Sequence, residues 1–192
     1  MEFIYEIEDV IDKKTCEDII KRFELDKRKV RGITSGGMST GIKVSTDLPI
    51  GRQVMAPQWN DVIHKIVNKV NNCLKKYFKY LCESNITKGG DPLSLNSTSV
   101  GIPQIQKTEK DGYYRWHHDG GRDRVITYIL YLNDVEEGIG GTTDFMHGKS
   151  VQPKAGKLIF FPATWSYIHR GKKLEKGEKY ILTNFIHSND NF

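Results

Sequence analysis

The chain has 192 residues, of which 38% are hydrophobic and 28% charged, and its formal net charge is +5. That is the composition of a globular protein able to bury a substantial core, and no stretch approaches the roughly 18 consecutive apolar residues of a membrane span. Three cysteines, Cys16, Cys73 and Cys82, lack metal-type spacing, and their odd number argues against a disulfide framework. The segment Met1-Glu2-Phe3-Ile4-Tyr5-Glu6 lacks the basic region and apolar core of a signal peptide, so a cytoplasmic location is expected. No basic run is interleaved with aromatics as a stacking groove requires, which disfavours nucleic acid as a partner.

Residues 1–8 alternate apolar and polar and predict a strand. A helix follows from Asp12 or Lys13 to Leu25, with Cys16, Ile19, Ile20 and Phe23 on one face. From Arg31 to Arg52 the chain is rich in Gly, Ser and Thr and shows no sustained period. A second helix is marked by Trp59, Val62, Ile63, Ile66, Val67, Val70, Leu74, Tyr77 and Leu81 at three- and four-residue steps, ending near Glu83 to Asn85. From about Ser97 short β-branched and aromatic runs take over, broken by Gly- and Pro-containing turns. Strands are expected at 99–107, 112–118, 124–132, 151–152, 157–161, 166–170 and 178–187. Helices first and many short strands afterwards predict an α+β domain spanning 1–192. Its helical support and a candidate lid fill 1–96, and a double-stranded β-helix (jelly roll) fills 97–192.

The chemistry concentrates in the second half. His117 and Asp119 lie two apart on an expected strand, so both side chains leave the same face. His169 follows about fifty residues later near another strand end, and Lys179 ten residues beyond that. Two imidazoles and one carboxylate form the facial ligand set of a non-haem Fe(II) site, which leaves open positions for a cosubstrate and oxygen. A lysine on the inner face of a strand is costly to bury without an anion, so Lys179 is expected to anchor a dicarboxylate lying against the iron. Strand parity places Thr127, Ile129 and Tyr131 on one face of their strand, and Lys179, Ile181, Thr183 and Phe185 on one face of theirs.

Several motifs carry a resemblance. They are Tyr114-Arg115-Trp116-His117-His118-Asp119, then Arg124-Val125-Ile126-Thr127 leading into Tyr131-Leu132-Asn133-Asp134, and Gly140-Gly141-Thr142-Thr143-Asp144-Phe145. Val151-Gln152-Pro153, Gly156, His169-Arg170-Gly171 and Gly177-Glu178-Lys179-Tyr180 complete the set. In order and spacing this stretch, roughly 99–187, resembles the catalytic domain of prolyl 4-hydroxylase-type Fe(II)/2-oxoglutarate dioxygenases, in particular compact microbial and phage-like members. The resemblance implies His117, Asp119 and His169 as iron ligands and Lys179 as partner of the distal 2-oxoglutarate carboxylate. It also implies that the Tyr131 hydroxyl contacts that carboxylate, with Thr183 in the same pocket, and that ascorbate serves as reductant.

The implied reaction consumes 2-oxoglutarate and O2 and hydroxylates a C–H bond, with a prolyl residue of a peptide or protein as the first expectation. A free amino acid, another side chain or a nucleobase is the alternative, and a non-catalytic binding module a third reading. Where the nucleobase-demethylase branch carries an arginine-rich tail, the stretch Lys179-Tyr180-Ile181-Leu182-Thr183-Asn184-Phe185 holds no arginine, which disfavours that target. Arg124 and Trp165 are candidate substrate-side residues, and 33–46 is the candidate lid. One departure stands out: where family members often carry a tyrosine, nine residues before the first iron histidine, this chain has Thr108, with Gln106, Tyr113 or Tyr114 as possible substitutes. His147 and His187 are expected at the surface or behind the ligands.

Overall fold

A computed structural model describes residues 3–32, 34, 37, 41–51, 57–83, 97–121 and 123–189. The elements in chain order are β1 (Tyr5–Ile7), α1 (Lys13–Leu25), β2 (Val30–Arg31), β3 (Lys43–Val44), β4 (Thr46–Pro49) and α2 (Asn60–Glu83). The strands that follow are β5 (Thr98–Val100), β6 (Gln104–Glu109), β7 (Tyr113–His117), β8 (Arg124–Tyr131), β9 (Thr143–Phe145), β10 (Ser150–Val151), β11 (Leu158–Pro162), β12 (His169–Gly171) and β13 (Glu178–Ser188). Two sheets result. The large one runs β1-β11-β8-β13-β6-β4-β2, with β5 also paired to β13, and the small one runs β10-β9-β12-β7-β3. Every pairing among these strands is antiparallel. This is the expected α+β jelly roll with helices against one side.

Alternation along β8, β11 and β13 decides what each face does. Ile126, Tyr128 and Leu130, with Leu158, Phe160, Leu182 and Ile186, point outward into one core with Ile19 and Phe23 of α1 and Ile66, Val70, Leu74 and Tyr77 of α2. Tyr77 stacks on Phe160 with centroids 5.5 Å apart and planes at 9°. The opposite face contributes Ile129, Tyr131, Ile159 and Phe161 to a second core, which Phe145 and Val151 complete from the small sheet. Helix α1 starts where it does because the Asp12 carboxylate accepts from the Thr15 amide at 2.7 Å, satisfying an otherwise unpaired donor. Among the described residues no helix is long and apolar enough to cross a membrane.

Three expectations change. The run 99–107 is two strands, because Gly101 to Pro103 interrupts it, and both pair with the same edge of β13. Residues 143–145, where no strand was expected, form β9 between β10 and β12. Within 31–52, β3 joins the small sheet through β7, while β2 and β4 join the large sheet through β6. The candidate lid is therefore structural over 43–46, where strands cross from one sheet to the other with Lys43 buried. Residues 33, 35, 36 and 38–40 of that lid lie outside the described residues.

Candidate active site

Between the sheets lies a cavity of about 760 Å³. His117 ends β7 and His169 begins β12, and the two residues are direct partners in the β7–β12 register. Asp119 follows two residues after His117 and projects between them. Its Oδ1 lies 3.5 Å from His117 Nε2 and its Oδ2 3.4 Å from His169 Nε2. One ligand atom from each of these residues falls within 4.8 Å of the others, close enough to hold a single metal ion.

The surroundings prepare that donor set. His117 Nδ1 lies 2.7 Å from the Arg115 carbonyl and His169 Nδ1 lies 3.0 Å from the Tyr167 carbonyl. A carbonyl can only accept, so Nδ1 carries a proton in each ring and Nε2 is the atom left to face Asp119 and a metal. Burial pushes the His169 pKa down to about 4, so its ring is neutral at neutral pH. Burial acts in the opposite direction on Asp119, raising its pKa. A hydrogen bond from His117 and attraction to His169 and His117 when those rings are protonated, with a hydrogen bond from Thr127, outweigh this and bring it to about 2. Thr127 Oγ1 donates to Asp119 Oδ2 at 2.8 Å and orients the carboxylate. Two imidazoles and one ionised carboxylate fit a divalent cation of the Fe(II) type.

Deeper in the cavity, on β13, Lys179 is buried and donates to the Gly141 carbonyl at 2.8 Å. Gly141 has φ 74°, left-handed backbone that favours glycine, in the turn before β9. Desolvation lowers the Lys179 pKa to about 8, partly opposed by the charge of Asp144. An ammonium this buried, facing an open cavity, is matched to an anion arriving from solvent.

Other expected residues are placed differently. Tyr131 does not line the cavity: it is fully buried, and its hydroxyl donates to Thr143 Oγ1 at 2.7 Å. Thr143 does line the cavity, and its own hydroxyl hydrogen remains available there. Parity identified the face of Tyr131 but not its depth. Thr183 lines the cavity with its hydroxyl donated to the Tyr128 carbonyl at 2.8 Å, so towards a ligand it can only accept. Arg124 lines the cavity with its guanidinium 4.0 Å from the Phe185 ring centroid. Trp165 does not reach the cavity. It is 76% exposed on a turn closed by Tyr167 N donating to Thr164 O at 3.0 Å, which throws the intervening side chain outward.

Thr108, Gln106, Tyr113 and Tyr114 all line the cavity, and Thr108 sits opposite Lys179 in the β6–β13 register. Tyr114 stacks on His117 with ring centroids 3.5 Å apart. His187 bonds Asp123 through Nδ1 at 2.7 Å and His147 packs on Phe145, so neither joins the metal-type cluster. Sequence reasoning missed Lys43 as a cavity residue; the segment holding it carried no period that would mark it as buried.

Comparison with known proteins agrees with this geometry. Residues 103–187 match the model of the 2OG-Fe(II) oxygenase superfamily. That match spans the stretch holding His117, Asp119, His169 and Lys179, whose side chains suit Fe(II) and 2-oxoglutarate. A Xenopus tropicalis protein called 2-oxoglutarate and iron-dependent oxygenase domain-containing protein 3 is 26% identical over 141 residues, covering 69% of this chain and 42% of that protein. The chain thus spans less than half the length of this curated relative. Among solved structures, the viral collagen prolyl hydroxylase vCPH of Paramecium Bursaria Chlorella virus-1, in its 2OG complex, superposes with a TM-score of 0.64 at 22% identity. That match covers 97% of this chain and 96% of vCPH. A Trichoplax adhaerens prolyl hydroxylase, bound to a hypoxia inducible factor peptide fragment, gives 0.68 at 11% identity, covering 97% of this chain and 84% of that one. The fold is shared with prolyl hydroxylases.

Proposed function

We propose that the protein is an Fe(II)- and 2-oxoglutarate-dependent dioxygenase that hydroxylates a C–H bond, most specifically of a prolyl residue in a peptide or protein. The observation that carries the reading is the convergence of His117, Asp119 and His169 in a cavity whose deep end holds the buried Lys179. In this reading 1–192 acts as one catalytic domain, with the three converging side chains as the metal ligands. Lys179 pairs with the distal carboxylate of 2-oxoglutarate, and Thr143, polarised by Tyr131, donates a hydrogen bond beside it. Thr183 borders the cosubstrate as an acceptor-only wall. Bound Fe(II) supplies the oxidative step, in which O2 and 2-oxoglutarate yield succinate and CO2 while one oxygen atom enters the substrate C–H bond.

The chain's own residues do the rest. The carbonyls of Arg115 and Tyr167 lock the imidazole tautomers, and Thr127 holds Asp119 in place. Phe161 and Phe145 pack against the His169 ring, with centroids 4.7 and 5.8 Å away, and keep water from that side. A five-carbon diacid fills only part of a cavity of about 760 Å³, which leaves room for a substrate segment beside Arg124 and Phe185. The kinship in fold with enzymes whose names specify prolyl hydroxylation, one of them holding a peptide, supports the choice of a peptide prolyl substrate.

The test is succinate formation with Fe(II), ascorbate and 2-oxoglutarate, alone and then with proline-rich peptides, with mass spectrometry of the peptide. A gain of one oxygen on proline supports the reading. Turnover that ignores every peptide but responds to single-stranded DNA or a free amino acid contradicts the prolyl assignment and leaves the dioxygenase standing.

A further inference from the structure

One pair of buried charges, with its lysine on the cavity wall, has no part in the ligand set described above. Lys43 and Asp47 are each 3% exposed and lie 2.7 Å apart through Nζ and Oδ2. No other ion pair among the described residues has both partners so deeply buried. The second carboxylate oxygen accepts from Ser45 Oγ at 2.8 Å, so the acid is fully engaged. The pair spans the seam of the jelly roll. Lys43 belongs to β3 of the small sheet, in register with Tyr114, and Asp47 belongs to β4 of the large sheet, in register with Gln106. A buried ion pair of this kind returns little net stability, because desolvation offsets most of the attraction. What it does supply is geometry.

That geometry leads to the metal ligands. The Lys43 ammonium lies 5.3 Å from the centre of the Tyr114 ring, and Tyr114 stacks on His117 at 3.5 Å with planes 17° apart. The two candidate histidines are held unequally. His169 is wedged between Phe161 and Phe145, whereas His117 is less buried and has the tilted His169 ring beside it, its centroid 4.2 Å away. Tyr114 supplies the missing face. We propose that the Lys43–Asp47 pair is a positioning strut for the metal centre: it fixes the Tyr114 ring across the seam and, through it, the plane of the His117 imidazole. The inference rests on the reading of His117 as a metal ligand.

The experiment titrates Mn(II) alone, without cosubstrate, into wild type, Lys43→Met/Asp47→Leu, Tyr114→Leu and the triple variant, by calorimetry, with melting temperature recorded for each. The apolar pair replaces the charges at similar volume, so the double variant is expected to melt near the wild-type temperature. Its Mn(II) Kd should rise about tenfold, as for loss of a residue that orients a ligand. Tyr114→Leu should give a similar rise, and the triple variant should be no worse than either, because all three changes break one linkage. A Kd unchanged in the folded double variant, or additive effects in the triple, overturns the strut. Should the double variant not fold, Asp47→Asn carries the same test, with a severalfold rise expected and no rise overturning the inference. A wild type that fails to bind Mn(II) contradicts the metal centre itself, and the strut with it, whereas binding that is indifferent to these substitutions contradicts the strut alone.

Discussion

His169 lies directly opposite His117 in the pairing of β12 with β7, and their Nε2 atoms approach different oxygens of the single Asp119 carboxylate, at 3.4 and 3.5 Å. The carboxylate comes from the loop rather than from either strand, so its direction depends on what holds it. Thr127, on β8 of the opposite sheet, does so with a 2.8 Å hydrogen bond. Thr127→Val keeps the shape and removes the bond. It should weaken metal affinity about tenfold while leaving the melting temperature within a few degrees of wild type, measured by the Fe(II) concentration needed for half-maximal succinate formation.

Lys179 gives a prediction with a defined pH window. Its pKa of about 8 in the folded protein lies below its ordinary value of 10.5, because burial penalises the ammonium. Below pH 8 the folded chain carries this penalty in full. Between about 8 and 10.5 the unfolded chain binds the proton that the folded one releases, so this group's contribution to stability rises with pH across that window. Cosubstrate affinity runs the other way. A dianion needs the charged lysine, so the Kd for 2-oxoglutarate should begin to rise near pH 8 and be about tenfold weaker one unit higher. Calorimetry from pH 7 to 9 in the presence of Mn(II) measures this.

Lys179→Met separates the two roles. The variant loses the anion partner, so half-saturation by 2-oxoglutarate should require at least about a hundredfold more, in line with truncating one member of a desolvated charge pair. The same change removes a buried charge from the ligand-free protein, which should melt at the wild-type temperature or above. A variant with unaltered cosubstrate dependence would remove Lys179 from the site.

Much of this was legible because inner strands write their faces into the sequence. Successive side chains of β8 and β13 leave opposite faces, so Thr127 with Ile129, and Lys179 with Ile181 and Thr183, could each be grouped on one face before any coordinates, and both groups line the cavity. The His-x-Asp spacing likewise encodes a shared direction. What stayed hidden depends on distant partners. β3 and β9 are two and three residues long, too short to show a period, and exist only because β7 and β12 pair with them. Lys43 and Asp47 look like surface charges until the seam closes over them. Tyr131 shows the limit of parity, since one face of a strand holds both the cavity wall and the core behind it.

Phe160 tests the support beneath the site. It is fully buried between β11 and α2, stacked on Tyr77. Phe160→Ala should cost about 3–5 kcal/mol of unfolding free energy, read from urea titration. The folded fraction should keep the wild-type KM for 2-oxoglutarate, because the cavity lies on the other face of the sheet. A loss below 1 kcal/mol would mean that the helices do not buttress the sheet as described.

Arg124 should matter for substrate alone. Its guanidinium packs on Phe185 at the cavity wall and makes a 3.4 Å contact with the Asp119 carbonyl. Arg124→Met should raise the KM for a peptide substrate while uncoupled succinate formation without peptide keeps its wild-type 2-oxoglutarate dependence. Equal loss in both assays would place Arg124 with the cosubstrate instead.

The most direct measurement is an anaerobic calorimetric titration of wild type, His117→Ala, Asp119→Ala and His169→Ala with Fe(II), followed by 2-oxoglutarate. Wild type should take up one Fe(II) per chain and then bind 2-oxoglutarate far more tightly than without metal, while each alanine variant, still folded, should lose at least about a hundredfold in metal affinity. Variants that bind Fe(II) as wild type does, or 2-oxoglutarate binding indifferent to the metal, would contradict the account.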